Sequence, residues 1–220
     1  MEDHDQRTKT LLEEFIAEFF WLFWPDRAAL FDFTRVVWLK NEAFPDPPKG
    51  KRRSLDLVGR LPLKVPIDTG TKKRIRSMLA ILHIEIESAD SVQPLRETMF
   101  KSFTALRLKY NEPILPVALY LQVGLDGIGV DSFCERFGEF EVARYNYLYV
   151  GLPGLSGEKY LTQDNCLGIA LSSLMRIPRE QRARFKAEAL QRIIQCGENE
   201  YRTFLLAECV QTYLPLEEKH

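Results

Sequence analysis

The run Ile-Leu-His-Ile-Glu-Ile-Glu at residues 81–87 alternates apolar and polar side chains, the period of a β-strand and not of a helix. In a strand Leu82, Ile84 and Ile86 share one face, which reads as core, and Glu85 and Glu87 share the other. Carboxylates in a row repel each other, and two arrangements relieve them. The face is open to water with its glutamates solvated and paired to lysines, as is common in antiparallel sheets. Alternatively, the carboxylates gather around a hard cation such as Mg²⁺, in a site suited to phosphate chemistry. A second strand-like run, Ser-Leu-Asp-Leu-Val-Gly-Arg at 54–60, adds Asp56 to the pattern. The resulting Asp-x(28)-Glu-x-Glu has little specificity by itself, so both arrangements stay open at this point.

The rest of the chain supplies helices and further strands. Leu11, Leu12, Phe15, Ile16, Phe19, Phe20, Leu22 and Phe23 recur at helical spacing over 8–24, and Pro25 ends the pattern. Runs rich in β-branched and aromatic residues predict strands at about 33–38, 54–61, 79–87, 114–123 and 140–150, with a helix at about 93–109 before the fourth. Beyond Asp164 the strand signals stop, and helices are expected at about 164–175, 179–195 and 198–213. Pro178 is placed to start the second, Gly197 to end it, and Pro215 to close the third. This order predicts an α/β fold, a mixed central sheet flanked by helices, with a C-terminal helical tail beyond a Gly- and Pro-rich loop at 151–157.

Composition narrows the class. Hydrophobic residues make up 45% and charged residues 28%, ordinary values for a soluble globular chain, and a net charge of −1 gives no broad attraction to nucleic acid. Local basic clusters do exist, Lys49, Lys51, Arg52, Arg53 and then Lys72, Lys73, Arg74, Arg76. Each is either a solvated turn or a phosphate contact. The acidic start lacks a basic region followed by an apolar one, so a cytoplasmic protein is expected, and the apolar stretch from Phe15 to Trp24 is too short to span a bilayer. Cys134, Cys166, Cys196 and Cys209 are scattered without metal-site spacing and read as buried thiols.

Two further residues bear on the acidic pattern. At about 100° per residue, Glu18 falls about 20° from Leu11, at the edge of the apolar stripe, where it either faces inward toward Asp56 and Glu85 or reaches solvent. His83 shares the strand face of Glu85, and a histidine without a positioned partner is more often structural than catalytic. There is no Gly-rich phosphate loop, no Gly-x-Ser-x-Gly and no His-Glu-x-x-His.

Taken in order, His4 and Asp5, Lys9 with Leu11 and Leu12, Glu18-Phe19 through Pro25-Asp26, Leu55-Asp56-Leu57, His83-Ile84-Glu85-Ile86, Met99-Phe100, Leu106 to Tyr110, the run from Pro113 to Leu119, Ala170-Leu171 to Met175, Ile177-Pro178 and Tyr213-Leu214 resemble the Rpn proteins. These are recombination-promoting nucleases, also described as YhgA-like putative transposases, within the PD-(D/E)XK nuclease superfamily. The resemblance implies a restriction-endonuclease-like core over residues 1–152, with residues 153–220 as a helical extension packed on or beside it. It implies Mg²⁺-dependent cleavage of DNA, with Mn²⁺ as a possible substitute. Asp56 and Glu85 would be metal ligands, joined by Glu18 from the helix, and Lys72, Lys73, Arg74, Arg96 and Lys101 would contact DNA.

The chain departs from the family at Glu87, which stands where the superfamily usually carries Lys and these relatives often carry Gln. Glutamate adds a charge and, when ionised, no donor. Three outcomes follow: Glu87 itself handles metal or water as a catalytic group, Arg96 or Lys101 supplies the cation, or catalysis is lost and the fold serves as a DNA- or protein-binding module. A separate possibility is a homodimer built on Phe185, Ala189, Leu190, Ile193 and Ile194 of the tail, a stripe that otherwise packs on its own domain.

Overall fold

The computed structural model describes residues 2–39, 43–45, 52–54, 56–68, 76–87 and 95–215. The opening apolar stripe forms two helices, α1 (Glu2–Glu14) and α2 (Ile16–Phe23), which change direction at Phe15. Pro25, which lacks the N–H needed to continue the ladder, starts the short α3 (Pro25–Ala28). The strands are β1 (Val37–Trp38), β2 (Ala43–Pro45), β3 (Arg52–Ser54), β4 (Leu57–Asp68) and β5 (Arg76–Glu87). After helix α4 (Leu95–Tyr110) come β6 (Ile114–Tyr120), β7 (Gly127–Phe137) and β8 (Phe140–Gly151). The tail holds α5 (Gly157–Leu161), α6 (Cys166–Leu171), α7 (Arg182–Gln195) and α8 (Glu200–Tyr213).

Six strands form one mixed sheet in the order β1-β4-β5-β6-β8-β7, and β2 pairs separately with β3. β1, β4 and β5 are antiparallel neighbours. The crossover through α4 then makes β6 parallel to β5, and β8 is parallel to β6. The chain is thus α/β with a mixed sheet between helices, as the order of runs predicts. Edge strand β7 is not anticipated. Its Gly127 and Gly129 and its charged Asp131, Glu135 and Arg136 dilute the strand signal, and it pairs with β8 across a two-residue turn at Gly138 and Glu139. Residues 33–35, expected to begin a strand, form a 3-10 turn capped by Asp32, whose carboxylate accepts from the Thr34 N–H.

The strict alternation of β5 is realised with both faces buried. Leu82, Ile84 and Ile86 join Val117, Leu119, Leu148 and Val150 in the main core, roofed by α1, α2 and the tail helices. The opposite face is covered by α4, whose Leu95, Met99 and Leu106 pack on Ala118, Tyr120, Tyr145, Tyr147, Val58 and Ile81. The solvated-face reading of Glu85 and Glu87 is therefore overturned: they are 5% and 9% exposed.

The tail shares the core of the sheet. Leu167, Ile169, Leu171, Leu206 and Val210 belong to the same buried cluster as Leu12, Phe19 and Ile84. Thr8 and Tyr213 hydroxyls meet at 2.8 Å, and Arg7 pairs with Glu208 at 3.0 Å, clasping α1 to α8. The stripe weighed as a dimer surface is spent internally, with Phe185, Ala189 and Ile193 buried in this core and Ile194 exposed. The thiol reading needs correction for two cysteines. Cys166 at the start of α6 and Cys196 after α7 are bonded as a disulfide, whereas Cys134 and Cys209 are free. Their separation of 30 residues gives no local signal of the bond. Among the described residues no helix is long and apolar enough to cross a membrane.

Candidate active site

Antiparallel pairing sets Leu57 opposite Ile84 and Val58 opposite His83, so Asp56, in the bend just before β4, arrives beside Glu85 and Ile86. Asp56 Oδ2 accepts the Ile86 N–H at 2.7 Å, which fixes the carboxylate at the end of the β4–β5 ladder. Asp56 Oδ1 lies 2.8 Å from Lys9 Nζ, and the two side chains are 16% and 19% exposed. Burial pushes the Asp56 carboxyl up to about 6, the charge of Glu85 pushes the same way, and Lys9 and the Ile86 N–H pull against both. The two carboxylates thus crowd one another, and burial outweighs the lysine.

Glu85 is held from its own strand and from α4. Its Oε1 lies 2.9 Å from His83 Nε2 and accepts from Ser102 Oγ at 3.3 Å. His83 is fully buried, and its Nδ1, like the buried hydroxyl of Tyr145, has no hydrogen-bond partner among the described residues. Burial raises the Tyr145 phenol far above its usual range, and the nearby charge of Glu85 adds to the effect. Glu85 therefore sits among His83, Ser102, Tyr145 and Asp56, with unsatisfied polar atoms at hand, an arrangement that suits small polar species such as water.

Two residues further along the same strand face, Glu87 lines a cavity of about 310 Å³ with Tyr120, Arg96, Asp131 and the apolar Leu95 and Leu125. Arg96 Nε donates to Asp131 Oδ2 at 2.8 Å, and Tyr147 OH donates to the same oxygen at 2.5 Å. Those two donors hold the Asp131 carboxyl below its usual range against the effect of burial, which is the largest influence on it. Burial, with the charges of Asp131 and Glu87, raises the neighbouring Tyr120 phenol.

The other sequence candidates fall elsewhere. Glu18 does not turn toward Asp56: its carboxylate is bound by Arg202 of α8, which also reaches Glu14 and Glu198 and stacks on the Phe15 ring at 3.9 Å. Asn165 donates to the Glu18 carbonyl, so both ends of this residue tie α2 to the tail. Lys101 pairs with Glu97 along the exposed side of α4. Lys72, Lys73 and Arg74 lie outside the described residues.

Lys9, one of the residues that carry the family resemblance, gains a specific partner in the structure, Asp56. It sits three residues before Leu12 and seven before Ile16, in phase with the buried stripe, and a lysine at such a position signals an inward-facing ammonium.

Among the described residues, no three or more His, Cys, Asp or Glu side chains converge on a metal-sized space. The donor set is the pair Asp56 and Glu85, hard oxygens whose mutual repulsion a cation would relieve. That suits Mg²⁺, which keeps several waters and takes one or two carboxylates together with substrate phosphate. No family model, curated protein or solved structure matches the chain.

Proposed function

We propose that this protein is a metal-dependent DNA endonuclease that hydrolyses phosphodiesters at Asp56 and Glu85. The observation that carries the reading is the meeting of these carboxylates at the end of β4 and β5, buried enough to raise Asp56 to about 6, with an ammonium at 2.8 Å. Carboxylates crowded together and largely withdrawn from water are costly, and such cost is concentrated at functional sites. The mixed sheet, with a helix crossing between β5 and β6, is in keeping with the restriction-endonuclease-like core that the resemblance implies.

A Mg²⁺ or Mn²⁺ ion held by Asp56 and Glu85 would neutralise the scissile phosphate and lower the pKa of a bound water. The protein's own groups prepare the place. The Ile86 N–H orients Asp56, His83 and Ser102 orient Glu85, and α4 excludes bulk water from the Glu85 side. Glu87, two residues along the same face, adds negative charge at the cavity with Arg96 and Tyr120.

Nicking of supercoiled plasmid in Mg²⁺, Mn²⁺ or EDTA, with Asp56→Ala prepared identically, tests the reading. Metal-dependent nicking by the wild type and none by the variant supports it; equal nicking by both defeats it. The second reading is a degenerate nuclease fold that binds DNA or a protein without cutting. It is favoured by Lys9 on Asp56 and by the acidic Glu87, since the protein then balances its own carboxylates. Absence of cleavage with any metal, together with salt-sensitive DNA binding that survives loss of Asp56, selects it.

A further inference from the structure

We propose that Lys9 is an exchangeable counter-ion and a catalytic residue: it holds Asp56 while the carboxylate pair is bare, and turns its ammonium onto the scissile phosphate once a divalent cation takes the carboxylates. The inference rests on the nuclease reading and names the cation of that site. Nζ lies 2.8 Å from Asp56 Oδ1, so a phosphate oxygen brought beside Asp56 falls within the arc of the lysine's flexible four-carbon stem.

Among the described residues, two other cations on the α4 side are already paired. Arg96 is held by Asp131 and Lys101 by Glu97, both on the α4 side. Glu87, on the strand face of Glu85, offers no positive charge. Among the described residues, an entering phosphate meets the carboxylates of Asp56, Glu85 and Glu87, and Lys9, already beside Asp56, is an ammonium positioned to offset them.

The helix that carries Lys9 is held on both sides of that residue. Arg7 pairs with Glu208, Thr8 bonds Tyr213, and Leu11 and Leu12 are 3% and 0% exposed. These neighbours pin the backbone at residue 9, so a turn of the ammonium from Asp56 to a phosphate oxygen is a matter of the side-chain torsions alone. In the hydrolysis the water oxygen bonds to phosphorus and the bridging P–O bond breaks, its electron pair leaving with the departing oxygen, which takes up a proton from solvent. The attacking water gives its proton to solvent. Lys9 keeps its proton throughout and acts by charge and hydrogen bonding.

The test combines two readouts on the full chain: plasmid nicking, and binding of Mn²⁺ alone, followed by the resonance signal of the free ion without DNA. Lys9→Met is expected to lose roughly 100-fold in nicking rate at saturating DNA, the scale of one lost oxyanion donor. Lys9→Arg retains activity within about tenfold, and Glu87→Lys restores at least about tenfold to Lys9→Met. In the metal assay Lys9→Met binds Mn²⁺ more tightly, by about tenfold, because the competitor for Asp56 is gone. A merely structural lysine gives the opposite sign or no change.

A wild type that nicks while Lys9→Met nicks equally well overturns the role of Lys9 and leaves the nuclease reading standing. Weaker or unchanged Mn²⁺ binding by a folded Lys9→Met also overturns it. Should Lys9→Met fail to fold, Lys9→Arg and Lys9→Gln carry the same comparison, and wild-type nicking by the glutamine variant overturns the role. A wild type inert with every metal defeats the nuclease reading, and the Lys9 inference falls with it.

Discussion

Replacing Asp56 by Asn tests whether the carboxylate pair stores unfavourable charge in the metal-free protein. The Asp56 carboxyl stands at about 6 in the fold against an ordinary 3.8. A tenfold change in proton affinity is about 1.4 kcal/mol, so ionised Asp56 costs the fold up to about 3 kcal/mol relative to its neutral form. The sign follows from where the proton sits. Between pH 3.8 and about 6 the folded protein retains a proton that the unfolded chain has released, so this contribution to stability is full below pH 3.8 and lost as pH rises through about 6. Asparagine resembles the neutral acid in shape but gives up the Lys9–Asp56 ion pair, which reduces the gain. We expect Asp56→Asn in EDTA to be more stable than wild type by about 1–3 kcal/mol at pH 8, with the difference shrinking toward zero near pH 4. Urea unfolding followed by circular dichroism at pH 4, 6 and 8 measures it, and Mg²⁺ should recover stability for the wild type alone. A variant less stable than wild type at pH 8, with the same gap at pH 4, refutes the reasoning, because it would make the Lys9–Asp56 pair a net stabiliser.

Three other variants probe separate parts of the structure. Glu18→Gln removes the charge that Arg202 binds between α2 and α8. It should lower stability by about 1 kcal/mol, read from the urea midpoint, while Mn²⁺ affinity stays at the wild-type value; loss of Mn²⁺ binding would return Glu18 to the metal site. Reduction of the Cys166–Cys196 bond, which closes 30 residues between α6 and the end of α7, should cost about 3–4 kcal/mol in the chain-entropy account. The thermal midpoint should fall on adding dithiothreitol in the wild type and not in Cys166→Ser. Gly151→Ala drives a Cβ into the Leu125 carbonyl oxygen, a clash with backbone that cannot be turned aside. A loss of about 3 kcal/mol or more is expected in the same unfolding assay, and a near-neutral result would mean that the 125–127 turn yields.

Much of the sheet was legible because alternation is a local property. The sequence of β5 alone separates Leu82, Ile84 and Ile86 from Glu85 and Glu87, and the structure keeps that separation. What covers the carboxylate face was not legible, since Leu95, Met99 and Leu106 come from α4, whose docking depends on the whole sheet. The same limit explains Glu18. A position at the edge of an apolar stripe does not say which distant group will claim the side chain, and Arg202 lies 184 residues away. Asp56 and Glu85 were found because each interrupts an apolar run. Lys9 gave a local sign too, its phase with Leu12 and Ile16, but the phase says only that the side chain faces inward and not that Asp56, 47 residues on, will meet it. β7 escaped because an edge strand needs no apolar row of its own, and its Val130 is 61% exposed.

The clasp between Thr8 and Tyr213 joins side chains 205 residues apart. A contact that distant cannot form early in synthesis: α1 leaves the ribosome long before α8, and its seat against α8 exists only after Tyr213 has followed. Closing so long a loop is entropically slow to be rewarded, so α1 should be among the last elements to settle. Lys9 rides on that helix, so its contact with Asp56 is made only as the clasp shuts. The charge balance at Asp56 is thus completed at the end of folding, by the same closure that seats α1 on α8.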